Sequence, residues 1–405
     1  MRSLTEAVRA QYERFPYPST TPHRPGLGAI RFDAFPHVTL SYVERRAQGG
    51  DQARRLRVLD AGCGTGACLQ ALASLHPGID VVGVDMNRTA LARLRESSAH
   101  LANLRVVEAD LHDVARACEG PFDVILLSGV LHHTAEPDRV LAGLASLLAE
   151  DGVMTIMVYA RWGRDAVTRM RTAIHACLSR GPDGLPDVAE ARRFVSAVRE
   201  GPATRPPFDD GAVIDDVELV DRYLNVHEET YDVARLFRAL ERAGLAFLRW
   251  LEPAEWSLGS VLSDPGLVRE LEARLDEEGR AKLVERLGDR PALVLHAVRR
   301  GARARALVVD DDLRVALSPL VSQELDVRVH GGREHVESLS LRVRNRPSVA
   351  ASAIEAALLA LVVEGPRTVG ELRAEMERLH GAGADVARVI DDLLQREVLY
   401  APWRA

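Results

Sequence analysis

The stretch VLDAGCGTGACL, residues 58–69, decides the fold of this chain of 405 residues. Its first residues are apolar and β-branched, which is typical of a buried strand, and Gly62, Gly64 and Gly66 follow directly. Glycine adopts backbone angles that other residues avoid, so this turn lets a ligand approach the backbone ahead of the next helix. The turn alone does not identify the ligand, because Gly62, Gly64 and Ala67 also fit the turn of a dinucleotide-binding site.

Strand-like and helix-like segments alternate around this stretch, from about residue 56 to residue 160. Continuous apolar strands that alternate with helices indicate a parallel sheet covered on both faces. After an irregular part over 161–230, a helix, a strand at 245–251, a helical stretch at about 264–288 and a strand at 291–298 follow. We therefore expect an α/β chain with a Rossmann-like sheet of seven strands and helical lid insertions.

The predicted domain organisation has three parts. Residues 1–50 form an N-terminal lid or cap segment, 51–299 form the main α/β domain, and 306–405 form a small C-terminal domain. Within the main domain, residues 160–230 are predicted to be an insertion that binds substrate or covers the site.

Composition restricts the compartment and the partners. Four cysteines without a C-x-x-C pair, no apolar leader and no apolar run of membrane-spanning length predict a soluble cytoplasmic protein. The net charge of -7 argues against a nucleic acid as the main partner. No histidine has clustered acidic or thiolate partners at ligand spacing, so we expect no metal site.

An acidic residue ends each of the first three predicted strands. The carboxylate of Asp60, just before the glycines, would repel a negatively charged pyrophosphate but would attract a cationic ligand. Asp85 is placed to hold two ribose hydroxyls, and Asp110 is placed to bind an exocyclic amine. A positively charged nucleoside amino acid has these three groups. The pattern thus predicts S-adenosylmethionine as the cofactor and disfavours a nucleotide-dependent dehydrogenase.

These motifs resemble the class I S-adenosylmethionine-dependent methyltransferases over about residues 50–160. The resemblance implies that Asp60 and the glycines line the methionine moiety, that Asp85 binds the ribose and that Asp110 and Leu111 bind the adenine amine beside Met86. S-adenosylhomocysteine would be the product. The predicted cofactor-binding residues are Asp60, Gly62, Cys63, Gly64, Gly66, Asp85, Met86, Asp110, Leu111 and Ser128. The segments QYERFPYP (11–18), SGVLHHTAEPDRVL (128–141) and 217–253 resemble more narrowly a bacterial branch of these enzymes.

The aromatic N-terminal segment suggests a cover for the site. Tyr12, Phe15 and Tyr17 alternate with prolines, and such a chain is stiff and loses little entropy on ordering. We predict that these three residues bind substrate in a lid that excludes water and places rings near the sulfonium. The alternative is that the rings only pack the N-terminal helix onto the sheet.

Candidate catalytic residues follow the fourth and fifth strands and precede a late helix. Methyl transfer needs a base only when the acceptor must lose a proton, as with a hydroxyl or an ammonium. The predicted catalytic residues are His132, His133, Tyr159 and His227, and Arg161 and Glu228 join the substrate-binding set. Capping of the next helix or shaping of the pocket is the structural alternative for the histidines.

The C-terminal hundred residues resemble a winged-helix module. Thr368 and Glu371 predict a capping box at one of three helices. Acidic side chains outnumber arginines from residue 307 onward, which disfavours DNA and favours a protein partner, a peptide or a homodimer.

Two functions follow from the sequence. One is a methyltransferase acting on O or N of a small-molecule or peptide substrate. The alternative is a cofactor-sensing regulator that acts through the winged helix. The Asn/Asp-Pro-Pro-Tyr signature of amino-directed nucleic-acid methyltransferases is absent after the fourth strand, where Ser128 and Gly129 stand.

Overall fold

The computed structural model describes residues 3–19, 35–44, 55–181, 184–198, 215–305, 307–330, 333–343, 348–381 and 385–402. They divide into two compact units. The first unit holds the described residues of 3–19 and 55–302, and the second holds those of 35–44 and 303–402. The segment predicted as one piece over 1–50 is therefore shared between the units, while the other predicted boundaries stay predictions.

The strands and helices of both units are numbered together in chain order. The strands are β1 (Arg57–Ala61), β2 (Asp80–Asp85), β3 (Leu104–Glu108), β4 (Phe122–Ser128), β5 (Leu148–Tyr159), β6 (Leu245–Trp250), β7 (Ala292–Arg299), β8 (Arg314–Leu317), β9 (Val321–His330), β10 (Arg333–Val343), β11 (Val349–Ala350), β12 (Arg367–Thr368) and β13 (Leu399–Tyr400). The helices are α1 (Leu4–Arg14), α2 (Pro36–Thr39), α3 (Ala67–Leu75), α4 (Arg88–Ser97), α5 (Val114–Ala117), α6 (Pro137–Leu147), α7 (Asp165–Cys177), α8 (Val188–Ala197), α9 (Asp216–Leu219), α10 (Val233–Arg242), α11 (Pro265–Arg274), α12 (Glu277–Leu287), α13 (Ala353–Val362), α14 (Val369–His380) and α15 (Val386–Gln395).

The sheet of the first unit has seven strands in the order β3-β2-β1-β4-β5-β7-β6, and β7 runs antiparallel to both neighbours. The predicted Rossmann-like sheet is confirmed. Leu59 of β1 pairs with Val82 on one side and Ile125 on the other, and all three are buried because helices cover both faces. Strand order reverses between β1 and β4. Ligands of such sheets bind beyond the carboxyl ends of the strands at this reversal.

The described residues of the second unit form small sheets, the short helix α2 and the three longer helices α13, α14 and α15. β8 pairs antiparallel with β12 and β13, while β9, β10 and β11 form another sheet. The three helices bury apolar residues such as Leu359, Leu372 and Ile390 against Val315. The predicted capping box of Thr368 and Glu371 is present at α14. The winged-helix assignment stays a prediction.

Residues 35–44, which precede most of the first unit in the sequence, also contribute to the second unit. Val43 forms an antiparallel bridge with Ala304, and the backbone N–H of Glu44 donates to the oxygen of Arg303 at 2.8 Å. Val38, Leu40 and Val43 are buried. Residues 35–44 thus belong to this unit and bury apolar side chains.

The described residues contain neither a membrane-spanning helix nor a metal-binding cluster. In the part of the chain that the structure describes, no helix has both the length and the hydropathy to cross a bilayer. Nor do three or more His, Cys, Asp or Glu side chains cluster there in a way that would hold a metal ion. The expectation of no metal site stays an expectation.

Candidate active site

The glycine turn between β1 and α3 brings bare backbone to a cavity at the strand ends. Gly62, Gly64 and Gly66 have positive φ angles of 81°, 53° and 78°. A Cβ at Gly64 would lie 2.6 Å from the backbone oxygen of Tyr17, and one at Gly62 would lie 2.4 Å from a methyl carbon of Val130. Neither position accepts a side chain, because Tyr17 and Val130 pack directly against the turn, and Gly62 and Gly64 also line the cavity.

Asp60 and Asp85 stand side by side at the ends of β1 and β2. The two oxygens of Asp85 accept hydrogen bonds of 2.8 Å from the backbone N–H groups of Gly64 and Asn87. Burial, together with the charge of Asp85, raises the pKa of Asp60 to about 7. Burial also raises the pKa of Asp85, against backbone hydrogen bonds that favour the charged form. Both carboxylates would gain from a ligand that supplies hydroxyls or positive charge.

Asp110 follows β3 and begins the short turn of residues 111–113. It accepts a hydrogen bond from the backbone N–H of His112 at 3.0 Å, and its Oδ1 lies 2.6 Å from Nδ1 of the same histidine. The histidine therefore fixes the orientation of the carboxylate at the cavity wall.

Most of the predicted site residues meet in one cavity. Those that line it are Tyr12, Tyr17, Asp60, Gly62, Cys63, Gly64, Asp85, Met86, Asp110, Leu111, Ser128, His133 and Tyr159. Those that do not line it are Phe15, Gly66, His132, Arg161, His227 and Glu228. Ser128 has a buried Oγ without a hydrogen-bond partner among the described residues.

A carboxylate, two phenols and an amide meet at the β5 side of the cavity. The hydroxyl of Tyr12 donates to Oδ1 of Asp221 at 2.9 Å and accepts from Nδ2 of Asn225 at 3.0 Å. The hydroxyl of Tyr159 lies 3.5 Å from Oδ2 of Asp221. Burial raises the pKa of Asp221, and burial with the charge of Asp221 raises the pKa of Tyr12 well above 10.0. The phenols therefore stay protonated and donate.

The three predicted histidines have different surroundings. Nδ1 of His132 accepts from the backbone N–H of Tyr159 at 3.3 Å, and its Nε2 is buried without a partner among the described residues. Burial lowers the pKa of His132 well below 6.5. These contacts assign His132 to positioning β5. His227 also lies off the cavity, where its backbone oxygen is 2.8 Å from Nδ1 of His133.

His133 has a defined tautomer, because a carbonyl oxygen only accepts. Its Nδ1 must carry the proton that is donated to the oxygen of His227, which leaves Nε2 of the neutral ring unprotonated. Burial lowers the pKa of His133 from 6.5, although the charges of Asp221 and Glu228 oppose this shift. His133 is thus a neutral ring on the cavity wall with a nitrogen ready to accept a proton.

Glu228 lies in a buried ion network behind the cavity wall. One oxygen is 3.3 Å from Arg164 and the other is 3.4 Å from Arg171, and the Glu228 side chain is only 1% exposed. The Arg164 guanidinium lies 3.4 Å from the centre of the Tyr159 ring. Glu228 therefore supports the wall from behind and has no access to a ligand.

Two other predicted substrate residues also lie elsewhere. Arg161 is 61% exposed and lies 4.0 Å from Asp232. Phe15 packs against a cluster of buried residues that includes Met170, Ile174 and Tyr223. For Phe15, the packing alternative describes the observed contacts.

Several cavity residues were not predicted from the sequence. Asp221 and Asn87 are buried and polar, and both contact Tyr12, whose backbone oxygen accepts from Nδ2 of Asn87 at 2.7 Å. The one signal for Asn87 was its place directly after the second strand. Asp221 lies within the quoted segment 217–253, but nothing in its spacing distinguishes it from the neighbouring acids.

Comparisons with known proteins agree with this geometry. A family model described as a methyltransferase domain matches residues 59–154. The Synechococcus sp. protein syc1184_c, which is described as uncharacterized, is 31% identical over 293 residues, covering 70% of this chain and 69% of that protein. The ubiquinone biosynthesis O-methyltransferase of Maricaulis maris is 32% identical over 182 residues, covering 43% of this chain and 66% of the relative.

A solved structure shares the fold over nearly the whole chain. PKMT2 from Rickettsia typhi in complex with AdoHcy aligns over 96% of this chain and 77% of that chain, with a TM-score of 0.65 and 17% identity. At this identity the likeness concerns the fold alone.

Proposed function

Because the chain belongs to the class I S-adenosylmethionine-dependent methyltransferases, we propose that it methylates an oxygen or nitrogen atom of a small-molecule or peptide acceptor. The meeting of Asp60, Asp85 and Asp110 with the glycine turn in one cavity supports this proposal most directly. A regulator that only senses the cofactor is not favoured, since the relative with a described activity is an enzyme.

The residues of the cavity fit the cofactor. Gly62 and Gly64 present backbone to the cavity, and the buried Oγ of Ser128, which also lines it, has a hydrogen bond to offer. Asp85 would bind the ribose hydroxyls, and Asp110 would bind the adenine amine. Asp60 would pair with the ammonium of the methionine moiety. When bound, S-adenosylmethionine supplies a methyl group activated by its sulfonium.

His133 is proposed as the general base. Its Nε2 accepts the acceptor's proton, while the hydrogen bond to His227 keeps the ring in place. Tyr159, whose ring is held by Arg164 and His132, orients the acceptor through its hydroxyl.

The segment of residues 3–19 is proposed as the lid. Thr5, Val8, Tyr12 and Tyr17 line the cavity, and the hydroxyl of Thr65 on the glycine turn donates to the backbone oxygen of Pro18 at 3.4 Å. These contacts span the cavity mouth from α1 to the glycine turn. The segment would exclude water during methyl transfer.

Calorimetry and product capture test this function. The full chain should bind S-adenosylhomocysteine and not NAD. Incubation of the full chain with S-adenosylmethionine and cell extract should yield an acceptor heavier by one methyl group in mass spectra. Binding of NAD instead, or no methylated product beyond that of a boiled protein sample, would contradict the proposal.

Asp85→Ala is expected to weaken S-adenosylhomocysteine binding by about 3 kcal/mol, or roughly a hundredfold, because charge-assisted bonds to a buried ribose are lost. Loss of the bond to Gly64 also loosens the glycine turn. Calorimetry measures the change. Asp80→Ala at the other end of β2 is the control, since its carboxylate is 45% exposed and pairs with Arg55 at the surface. Equal affinities of the two variants would refute the ribose role.

Binding of S-adenosylhomocysteine should also depend on pH. Asp60, with a pKa of about 7 in the free protein, must be ionised to pair with the ligand's ammonium. Affinity should therefore be constant above pH 7 and fall by up to about tenfold per unit below it. Asp60→Asn should flatten this profile, whereas a variant with an unchanged profile would assign the titration to another group.

Two further proposals concern partners and location. The second unit is proposed to bind a protein or a second copy, because its acidic balance disfavours nucleic acid. Light scattering of the full chain tests self-association. The cytoplasmic location stays a prediction from the cysteine pattern. The four cysteines form no disulfide in the structure.

A further inference from the structure

Asp221 reaches the cavity from an uncommon backbone turn. Residues Val220–Leu224 form a π-helical turn directly after α9, and such turns are rare and often occur at functional sites. The Asp221 side chain is buried, the residue being 5% exposed, and it lines the cavity together with Tyr12, His133 and Tyr159. Its position is thus on the β5 side, away from the strand-end acids of β1, β2 and β3.

No described arginine or lysine forms an ion pair with this carboxylate, although the charge of Arg171 interacts with it from a longer distance. Among the described residues, no arginine or lysine nitrogen lies within 4.0 Å of Asp221, and its hydrogen-bond donor is the neutral phenol of Tyr12, with that of Tyr159 at 3.5 Å. The neighbouring Arg164 and Arg171 are both directed at Glu228. A buried carboxylate without a counter-ion is unfavourable, so this part of the cavity is suited to a cation that arrives with a ligand.

The other carboxylates of the cavity already have roles toward the cofactor. Asp60, Asp85 and Asp110 correspond to its ammonium, ribose and adenine, which leaves Asp221 for the acceptor. The described lining contains no arginine or lysine. An anionic acceptor would therefore lack a partner, and a neutral alcohol would leave Asp221 uncompensated. A protonated amine satisfies the site.

We propose that Asp221 binds the acceptor as a protonated amine, which makes the reaction an N-methylation. This inference rests on the proposed function and narrows its acceptor to nitrogen. The ammonium gives one proton to Nε2 of His133, and the freed lone pair forms the new bond to the methyl carbon. The carbon–sulfur bond breaks, and its electron pair stays on sulfur. The products are a methylated ammonium and the neutral thioether, and the proton passes from His133 to solvent.

Binding of small probes to the full chain saturated with S-adenosylhomocysteine tests the proposal. The probes are n-butylamine and benzylamine, each beside the alcohol and the carboxylate of the same skeleton, followed by saturation-transfer NMR at neutral pH. In the wild-type chain at least one amine should bind about tenfold more tightly than its alcohol, as expected for one charge-assisted contact. Asp221→Asn should remove this preference.

Matched measurements separate the possible outcomes. Glu218→Gln removes a carboxylate three residues away that pairs with Arg222 and does not line the cavity, and it should retain the amine preference. Affinity for S-adenosylhomocysteine should stay within about twofold in both variants. Equal binding of alcohols, no binding of any amine at millimolar concentration, or an amine preference that survives in Asp221→Asn would overturn the inference.

The cofactor's own sulfonium is the competing cation. If Asp221→Asn weakened binding of S-adenosylmethionine but not of the uncharged S-adenosylhomocysteine, Asp221 would serve the sulfonium and the amine proposal would be wrong. A wild-type chain that bound neither compound would instead refute the proposed function itself, and this inference with it.

Discussion

Glu228→Gln is expected to lower the stability of the first unit by about 3–5 kcal/mol, the range for breaking a buried ion pair from one side. The variant leaves the charges of Arg164 and Arg171 buried without their shared carboxylate. Arg164 also contacts the Tyr159 ring, so the cavity wall should loosen as the network is lost. A thermal melt of the full chain measures the change as a lower midpoint.

Glu229→Gln is the matched control for this variant. Glu229 is the next residue and also pairs with an arginine, Arg235, but its side chain is 41% exposed. A pair at that exposure contributes only about 0–1 kcal/mol. Similar melting temperatures for the two variants would show that the buried network adds no stability. Intact folding of Glu228→Gln with a raised KM would restore Glu228 as a substrate residue.

His133→Asn is expected to reduce kcat by about 10²–10⁴, the usual contribution of a general base, while S-adenosylhomocysteine affinity is retained. The asparagine amide can still donate toward the oxygen of His227, so the variant removes the proton-accepting nitrogen and little else. Initial rates on the acceptor identified by product capture measure the loss.

The pH profile of the same reaction separates a base from a packing residue. Burial lowers the pKa of His133 from 6.5, so the basic neutral form persists to a lower pH than for an exposed histidine. At saturating cofactor and acceptor, the wild-type rate should therefore be flat above pH 6.5 and fall as the pH drops through the lowered pKa. His133→Asn should lose this acidic limb, whereas His132→Asn should keep it, because the ring of His132 lies off the cavity. An acidic limb that persists in His133→Asn would falsify the base assignment.

The sheet could be predicted from the sequence because each of its strands is determined by a short, continuous segment of residues. Each strand of the first unit is a short apolar run, and the turn after β1 needs glycine for its backbone angles. The strand-end acids followed from the same logic, since the carboxyl ends of parallel strands meet at one edge. Asp60, Asp85 and Asp110 therefore line one cavity, as their positions indicated.

The β5 side of the cavity could not be predicted in this way. Asp221 meets Tyr12 across more than two hundred residues, and a π-helical turn determines which side chain of the segment 217–253 faces the cavity. The spacing of apolar residues in the sequence does not predict a π-helical turn. Its position beside His227 predicts Glu228 as a substrate residue, yet the packing of α7 and the residue before it brings Arg171 and Arg164 onto the carboxylate instead.

The second unit combines two segments, residues 35–44 and the residues from 303 onward, which are synthesised at different times. Residues 35–44 emerge early, but Val43 pairs with Ala304, and Tyr42 lies 3.4 Å from Glu397 through its hydroxyl. During synthesis the backbone partners of Val43 and Glu44 appear only about 260 residues later, whereas domains generally fold in order of appearance. A chain that stops before residue 303 would leave this early segment exposed. In a nascent chain this segment therefore stays without these backbone partners until residues 303 and 304 have been synthesised.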